Sequence, residues 1–239
     1  MGTKQARKNH PATQSTSSRR AASQQASAAT GSEPGAKGKA KRLTGAAAIA
    51  QAIVDGTAGH DLGHYAKALD DERDGIATHA ARVVEEVMVR RPQLGVGMIE
   101  QFVRLLLGHN ARVVQTCANA LPLLARVAPA RVARRLPDLT GNYDAASDVG
   151  KDGMVRTFAA LCTASVAYQK RLEEVLDRAL SGAKPKTLLR WTEIVLPALK
   201  GEPHARARAV VEQRLGRLPR PVAQKIADFL GVKLRPAYR

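Results

Sequence analysis

The residues that could do chemistry in this chain are few, and the most suggestive pair is His60 and His64. They lie four positions apart in HDLGH, and on a helix this spacing would place both imidazoles on one face, as in a zinc site with a carboxylate general base between the ligands. Two glycines weaken a helix here, Asp61 is shorter by a methylene than the usual glutamate, and no third ligand is evident. The pattern therefore favours a polar turn between helices, and we predict no metal site and no cofactor.

A second candidate for chemistry is the acidic cluster Asp70, Asp71, Glu72 and Asp74. Two of these carboxylates could perform acid–base catalysis if they converged in a cleft. The cluster directly precedes an apolar-periodic run at 76–89, and acidic side chains in a first helical turn are stabilised by the helix dipole. The sequence thus predicts a helix start. No Ser-His-Asp arrangement, P-loop or GxGxxG pattern is present, so we do not expect an enzyme.

Basic side chains give the strongest surface signal. The 239-residue chain has 38 Lys and Arg against 21 Asp and Glu, and the excess lies in residues 1–43 and 184–239. Arginine binds phosphate oxygens in a bidentate way, so the sequence predicts electrostatic contact with DNA or RNA. The alternative is an arginine-rich helix face that is simply solvated. Aromatic residues make up only 3% of the chain, which argues against base stacking on single strands. The candidate nucleic-acid-binding residues are Lys37, Lys39, Lys41, Arg42, Arg131, Arg134, Arg135, Arg206, Arg208 and Arg214.

Composition divides the chain after residue 43. Between Met1 and Leu43 there is no large apolar side chain, so residues 1–43 cannot offset the entropy of ordering and are predicted to form a disordered basic tail. The same lack of apolar residues argues against a secretory signal and a transit peptide. Residues 44–239 are predicted to form the folded domain.

Two observations suggest the cellular location. No stretch approaches 18 consecutive apolar residues, so we expect no membrane contact. Cys117 and Cys162 each lie in an apolar helical stretch without metal-ligand spacing, which predicts buried, reduced thiols. We therefore expect a cytoplasmic protein, with association with the chromosome as the alternative.

The domain at 44–239 is predicted to be all-helical, because its apolar residues are mainly Ala, Leu and Val. Four stretches can be stacked without gaps: IATHAARVV, VVQTCANAL, MVRTFAALC and LLRWTEIVL, which start at residues 76, 113, 154 and 188. Each is followed by a second apolar-periodic segment, near 93–107, 130–139, 168–180 and 204–215, and a last helix is predicted at 222–230. Helix pairs that repeat at such intervals indicate an α-solenoid, in which stacked neighbours cover each other's apolar faces.

The stretch DGMVRTFAAL at 152–161 resembles a helix of HEAT and armadillo-type repeats. That family has an Asp at the turn, then a Val-Arg pair and small residues where neighbouring helices approach. Weaker copies begin at Asn110 and Asp74, and the resemblance covers about residues 71–215. It implies an all-α, right-handed α-solenoid of about four to five stacked antiparallel helix pairs over residues 44–239, with its function on the concave face.

The resemblance leads to two functional hypotheses. The first is a non-enzymatic scaffold that holds an unidentified protein partner on the concave face and contacts nucleic acid through its basic tail and Arg-rich helices. The alternative is a HEAT-like glycosylase that removes alkylated DNA bases, a family that uses a carboxylate and aromatic residues in a basic groove. Trp191, near Glu193, would be its nearest equivalent here. In the alignment of the four stretches Trp191 takes the position that His79, Thr116 and Thr157 have in the other copies, which predicts a partly exposed indole.

Overall fold

The computed structural model describes residues 45–57, 59 and 61–234, so the tail predicted at 1–43 lies outside the described residues. Within the described part the regular structure is entirely helical and contains no strand, which confirms the all-α prediction there. No helix of this part combines the length and apolar character needed to cross a membrane. The α-helices are α1 (Ala46–Val54), α2 (Leu62–Ala68), α3 (Asp74–Arg90), α4 (Ile99–Leu105), α5 (Ala111–Val127), α6 (Pro129–Ala133), α7 (Leu136–Gly141), α8 (Asp148–Ala164), α9 (Val166–Gly182), α10 (Pro185–Val195), α11 (Gly201–Arg214) and α12 (Arg220–Leu230).

Four of these helices begin at a constant interval of 37 residues: α3 at Asp74, α5 at Ala111, α8 at Asp148 and α10 at Pro185. We call these four the first helices. The segments that follow them keep the same interval, since a 3-10 turn begins at residue 92, α6 at 129 and α9 at 166. We call α4, α6, α7, α9 and α11, which follow the first helices in sequence, the second helices.

The constant interval corrects the stacking drawn from sequence, which used shifts of 37, 41 and 34 residues. That stacking set Met154 level with Val113, whereas the structure sets Gly150 level with Val113. The slip of four residues is close to one helical turn of 3.6 residues, so it leaves the apolar face almost unchanged. The pattern of apolar residues could not distinguish the two registers, and only the helix boundaries showed which register is correct.

Local sequence explains where the helices start. The side chain of Asn110 accepts hydrogen bonds from the backbone N–H groups of Arg112 and Val113, each at 3.1 Å, and caps α5. The Ser147 hydroxyl accepts from the Gly150 N–H at 3.2 Å and caps α8 in the same way. These side chains satisfy N–H groups that have no partner within the helix.

Two predicted second helices are interrupted. The helix expected at 130–139 is divided into α6 and α7, because Pro137 at the start of α7 has no N–H to continue the hydrogen-bond ladder. The helix expected at 93–107 begins as a 3-10 segment, Pro92–Met98, in which Gly95 and Gly97 favour irregular backbone. The second-helix side of the domain is consequently less regular than the first-helix side.

The first helices pack side by side in chain order, and α10 also packs on α12. The helices α5 and α8 approach each other closely, because a Cβ placed on Gly153 would lie 2.5 Å from the Cα of Ala118. On the other side α4 packs on α5, α9 on α8, and α11 on α9. One continuous apolar core joins these helices, with Phe102 and Phe158 both at 0% exposure.

The two cysteines belong to this core, as the sequence predicted. Cys117 is 0% exposed and Cys162 is 1% exposed. Burial disfavours the thiolate, so it raises the pKa of Cys117 and raises that of Cys162 to about 12. Neither thiol is therefore a nucleophile in the folded protein.

Candidate functional site

The acidic cluster at 70–74 anchors the start of α3. Asp71 accepts a hydrogen bond from the backbone N–H of Arg73 at 2.9 Å and pairs with its guanidinium, which lowers the pKa of Asp71 to about 2. Asp70 accepts from Arg104 at 2.8 Å and from Gln101 at 2.7 Å, and the bond from Arg104 is the main cause of its lowered pKa. Both are weak bases with internal partners, and Asp74 is the first residue of α3. The cluster is a helix start, as the sequence predicted.

The HDLGH segment also has a structural role. The Asp61 carboxylate accepts from the backbone N–H of Gly63 at 3.0 Å and thereby caps α2. His64 lies exposed on α2, and His60 lies outside the described residues. Across the described part of the chain no three His, Cys, Asp or Glu side chains converge as metal ligands would.

Trp191 is 3% exposed, so the partial exposure predicted from sequence is wrong. In the 37-residue register Trp191 takes the position of Ala80, Cys117 and Met154, all of which are buried. Its indole N–H donates to the carboxylate of Asp152 at 2.8 Å, which satisfies the one polar group of the ring. A buried indole cannot stack on an extruded base, so the feature on which the glycosylase alternative rested is part of the core.

A chain of polar contacts joins consecutive first helices. Arg156 of α8 donates to the side-chain oxygen of Asn119 on α5 at 3.0 Å, and Asn119 donates to Glu85 on α3 at 2.7 Å. Asp152 pairs with Arg156 at 3.0 Å and with Arg190 of α10 at 2.5 Å. The Asp152 and Arg156 pair, which carried the family resemblance, therefore holds three neighbouring helices together.

The three candidate arginines of the C-terminal part have partners inside the chain. Arg206 pairs with Glu173 at 2.8 Å, and Arg208 pairs with Glu212 at 2.7 Å. Arg214 donates to two backbone carbonyls just after and within the last turn of α9, at 2.6 and 2.7 Å. Carbonyls at a helix C-terminus have no partner in the helix, so Arg214 serves as a cap. None of the three is free to give its full hydrogen-bonding capacity to a ligand.

The candidates on α6 and after it differ from one another. Arg135 pairs with Glu100 of α4 and lies 3.7 Å from Asp138. Arg131 and Arg134 are exposed, and no acidic side chain of residues 45–234 that the structure describes lies within 4.0 Å of either. All three arginines line a groove of about 270 Å³ against the segment at 96–100. The groove thus presents two unpaired guanidinium groups.

Reasoning from sequence missed two further cations on the second-helix side. Lys170 and Arg171 of α9 are exposed and have no acidic partner among the described residues. Arg171 follows Arg134 by 37 residues, the interval that separates equivalent positions of the helix pairs. That interval was the signal that could have identified Arg171, and the incorrect register concealed it, whereas Lys170 takes the position of Ala133. We call Arg131, Arg134, Lys170 and Arg171 the basic row.

The remaining candidates, Lys37, Lys39, Lys41 and Arg42, lie outside the described residues. No protein-family model matches this sequence, and no curated protein matches it. The site must consequently be judged on its own chemistry. Its described part offers exposed cations over a helical surface. Among the groups singled out as possible catalysts, Asp61 caps α2, Asp70 and Asp71 pair with arginines, and His64 is exposed on α2.

Proposed function

We propose that this protein is a non-enzymatic scaffold built as a right-handed, HEAT-like α-solenoid, which contacts nucleic-acid phosphates through the basic row and the basic N-terminal tail. The solenoid is supported by the 37-residue interval of the first helices and by their packing in chain order. It is supported as well by the polar contacts that join α3, α5, α8 and α10. Each pair of helices is then covered by the next one.

The basic row lies on the second helices, since Arg131 belongs to α6 and both Lys170 and Arg171 belong to α9. Both sides of the domain contain packed neighbours: α8 packs on α5 among the first helices, and α11 packs on α9 among the second helices.

The observation that carries the nucleic-acid proposal is the division of the arginines into paired and unpaired groups. The range 45–234 has 27 Lys and Arg against 20 Asp and Glu. Arg135, Arg206 and Arg208 are largely neutralised by neighbouring carboxylates. The basic row is exposed and has no such partners, so its cations can displace the counterions of a phosphate backbone. Contacts of this kind bind without reading sequence.

The test is the binding of the full chain to a short labelled duplex, measured by fluorescence anisotropy at about 50 mM and about 200 mM salt. Replacing Arg131 and Arg134 together by Gln should weaken binding about tenfold and reduce the salt slope by about 1 to 2. The matched control replaces Lys67 and Arg82 by Gln, because both are exposed cations of α2 and α3 outside the basic row. That control should leave the affinity within about twofold of the unmodified chain.

Deletion of residues 1–43 separates the tail from the basic row. If the deletion abolishes binding and the double variant binds as the unmodified chain does, the basic row is not the interface. If the full chain does not bind the duplex at about 50 mM salt, where several phosphate contacts give strong affinity, the nucleic-acid proposal is refuted.

A further inference from the structure

A groove of about 500 Å³ runs over α5, α8 and α10 on the first-helix side. Its floor is apolar and includes Pro122, Leu123, Ala160 and Ile194. The volume is in the range of sites that bind small molecules. None of the residues that line it is acidic or aromatic, and its charged side chains are Arg126 and Arg156.

The two arginines of this groove differ in what they can still bind. Arg156 donates to the Ala118 carbonyl and to Asn119, each at 3.0 Å, and it pairs with Asp152, so its position is fixed. Arg126 is exposed in the last turn of α5, and within the described part of the chain no carboxylate lies within 4.0 Å of it. Arg126 therefore has a whole guanidinium available for a carboxylate.

We propose that this groove binds an acidic, leucine-rich segment of a partner protein, with an apolar side chain on the floor and a carboxylate paired with Arg126. This inference rests on the proposed scaffold function and specifies the chemistry of its protein partner. A ligand that must satisfy both an apolar floor and an unpaired cation carries apolar and acidic groups close together.

Two other occupants fit the groove less well. The chain's own N-terminal tail has nine Lys and Arg in residues 1–43 against Glu33 alone, so Arg126 would repel it. The groove offers a nucleic acid one unpaired cation and no aromatic ring for base stacking, whereas the basic row offers its phosphates four cations.

The probe is a fluorescein-labelled synthetic peptide in which pairs of Glu alternate with pairs of Leu, and its control has Gln in place of every Glu. Binding to the full chain is followed by anisotropy. Arg126→Gln should weaken binding of the acidic peptide about tenfold, because a charge-assisted hydrogen bond is lost. Arg131→Gln removes the same charge from the basic row and should change it by less than about twofold.

A second pair of variants tests the floor separately from the charge. Ala164→Tyr places a ring in the groove at an exposed position of α8, and Ala167→Tyr places the same ring on α9 outside the groove. Only Ala164→Tyr should block the peptide, by about tenfold or more. Equal thermal midpoints for the two variants would show that both are folded.

Three results would overturn the groove proposal: equal binding of the Gln peptide, equal losses in Arg126→Gln and Arg131→Gln, or unchanged peptide binding by Ala164→Tyr. Duplex binding measured on the same variants separates this proposal from the proposed function. If Ala164→Tyr leaves both ligands bound, only the groove is refuted. If the peptide binds as expected and the duplex does not, only the nucleic-acid contact is refuted.

Discussion

The contact of Gly153 with Ala118 allows a quantitative prediction for the variant Gly153→Ala. The new Cβ would lie 2.5 Å from both the Cα and the Cβ of Ala118 and 2.9 Å from its carbonyl oxygen, whereas ordinary contacts begin at 3.4 Å. The obstructing atoms belong mostly to backbone, so no side-chain rotation relieves the clash, and α5 and α8 must separate by about 1 Å. Overpacking of this kind costs about 1–3 kcal/mol, and alanine returns up to about 1 kcal/mol through helix propensity. We expect a net loss of about 1 kcal/mol.

The assay is urea unfolding followed by far-UV circular dichroism. With a slope of about 2 kcal/mol per molar urea, the midpoint should fall by about 0.5 M. Gly75→Ala is the control, because Gly75 lies in α3 and a Cβ there meets nothing within 4 Å. The control should keep or raise the midpoint. A Gly153→Ala protein that unfolds at or above the midpoint of the unmodified chain would refute the close approach of α5 and α8.

Two further predictions concern ionisable groups. Cys117 and Cys162 should not react with a thiol reagent at pH 8 until the protein unfolds, because burial raises both pKa values and blocks access. The hydrogen bond from Arg104 lowers the pKa of Asp70 in the folded protein. The ionised carboxylate therefore stabilises the fold above its ordinary pKa of 3.8, and this stabilisation is lost as the pH falls below that value. Asp70→Asn should lower the free energy of unfolding by about 0.5 kcal/mol at pH 7, a value reduced for solvent screening, and the difference should shrink below pH 4.

Each of these predictions has a clear contrary outcome. Rapid labelling of either cysteine in the native protein, at a rate near that in urea, would contradict the packing of α5 or α8. For Asp70, urea midpoints of the variant and the unmodified chain are compared from pH 7 to pH 3. A difference that grows as the pH falls would contradict the pairing with Arg104, because it would require a raised pKa in the folded state.

The sequence determined the helical content and most helix positions. Its apolar residues are mainly Ala, Leu and Val, and the periodic stretches predicted from residues 76, 113, 154 and 188 begin inside α3, α5, α8 and α10. It likewise predicted that both thiols are buried and that the cluster at 70–74 is a helix start. Helix formation and helix starts depend on interactions within a few residues, and the apolar stretches around both thiols are visible in the sequence directly.

The sequence could not decide which arginines are available. Arg131 and Arg206 look alike in sequence, as basic residues beside apolar ones. The partner of Arg206 is Glu173, which lies on another helix, and only the packing of α11 on α9 brings the two together. Free cations are thus a property of the tertiary structure, because pairing depends on groups distant in the chain.

The register of the repeat shows the same limit. The stacking of apolar stretches set Trp191 level with His79, an exposed position one residue before the buried Ala80. The 37-residue interval of the folded helices moves it into the core, where Asp152 accepts its N–H. Periodicity determined that this chain would form helices with buried faces. Only the contacts between helices decided which residues those faces cover, because burial is set by neighbours that the sequence does not place.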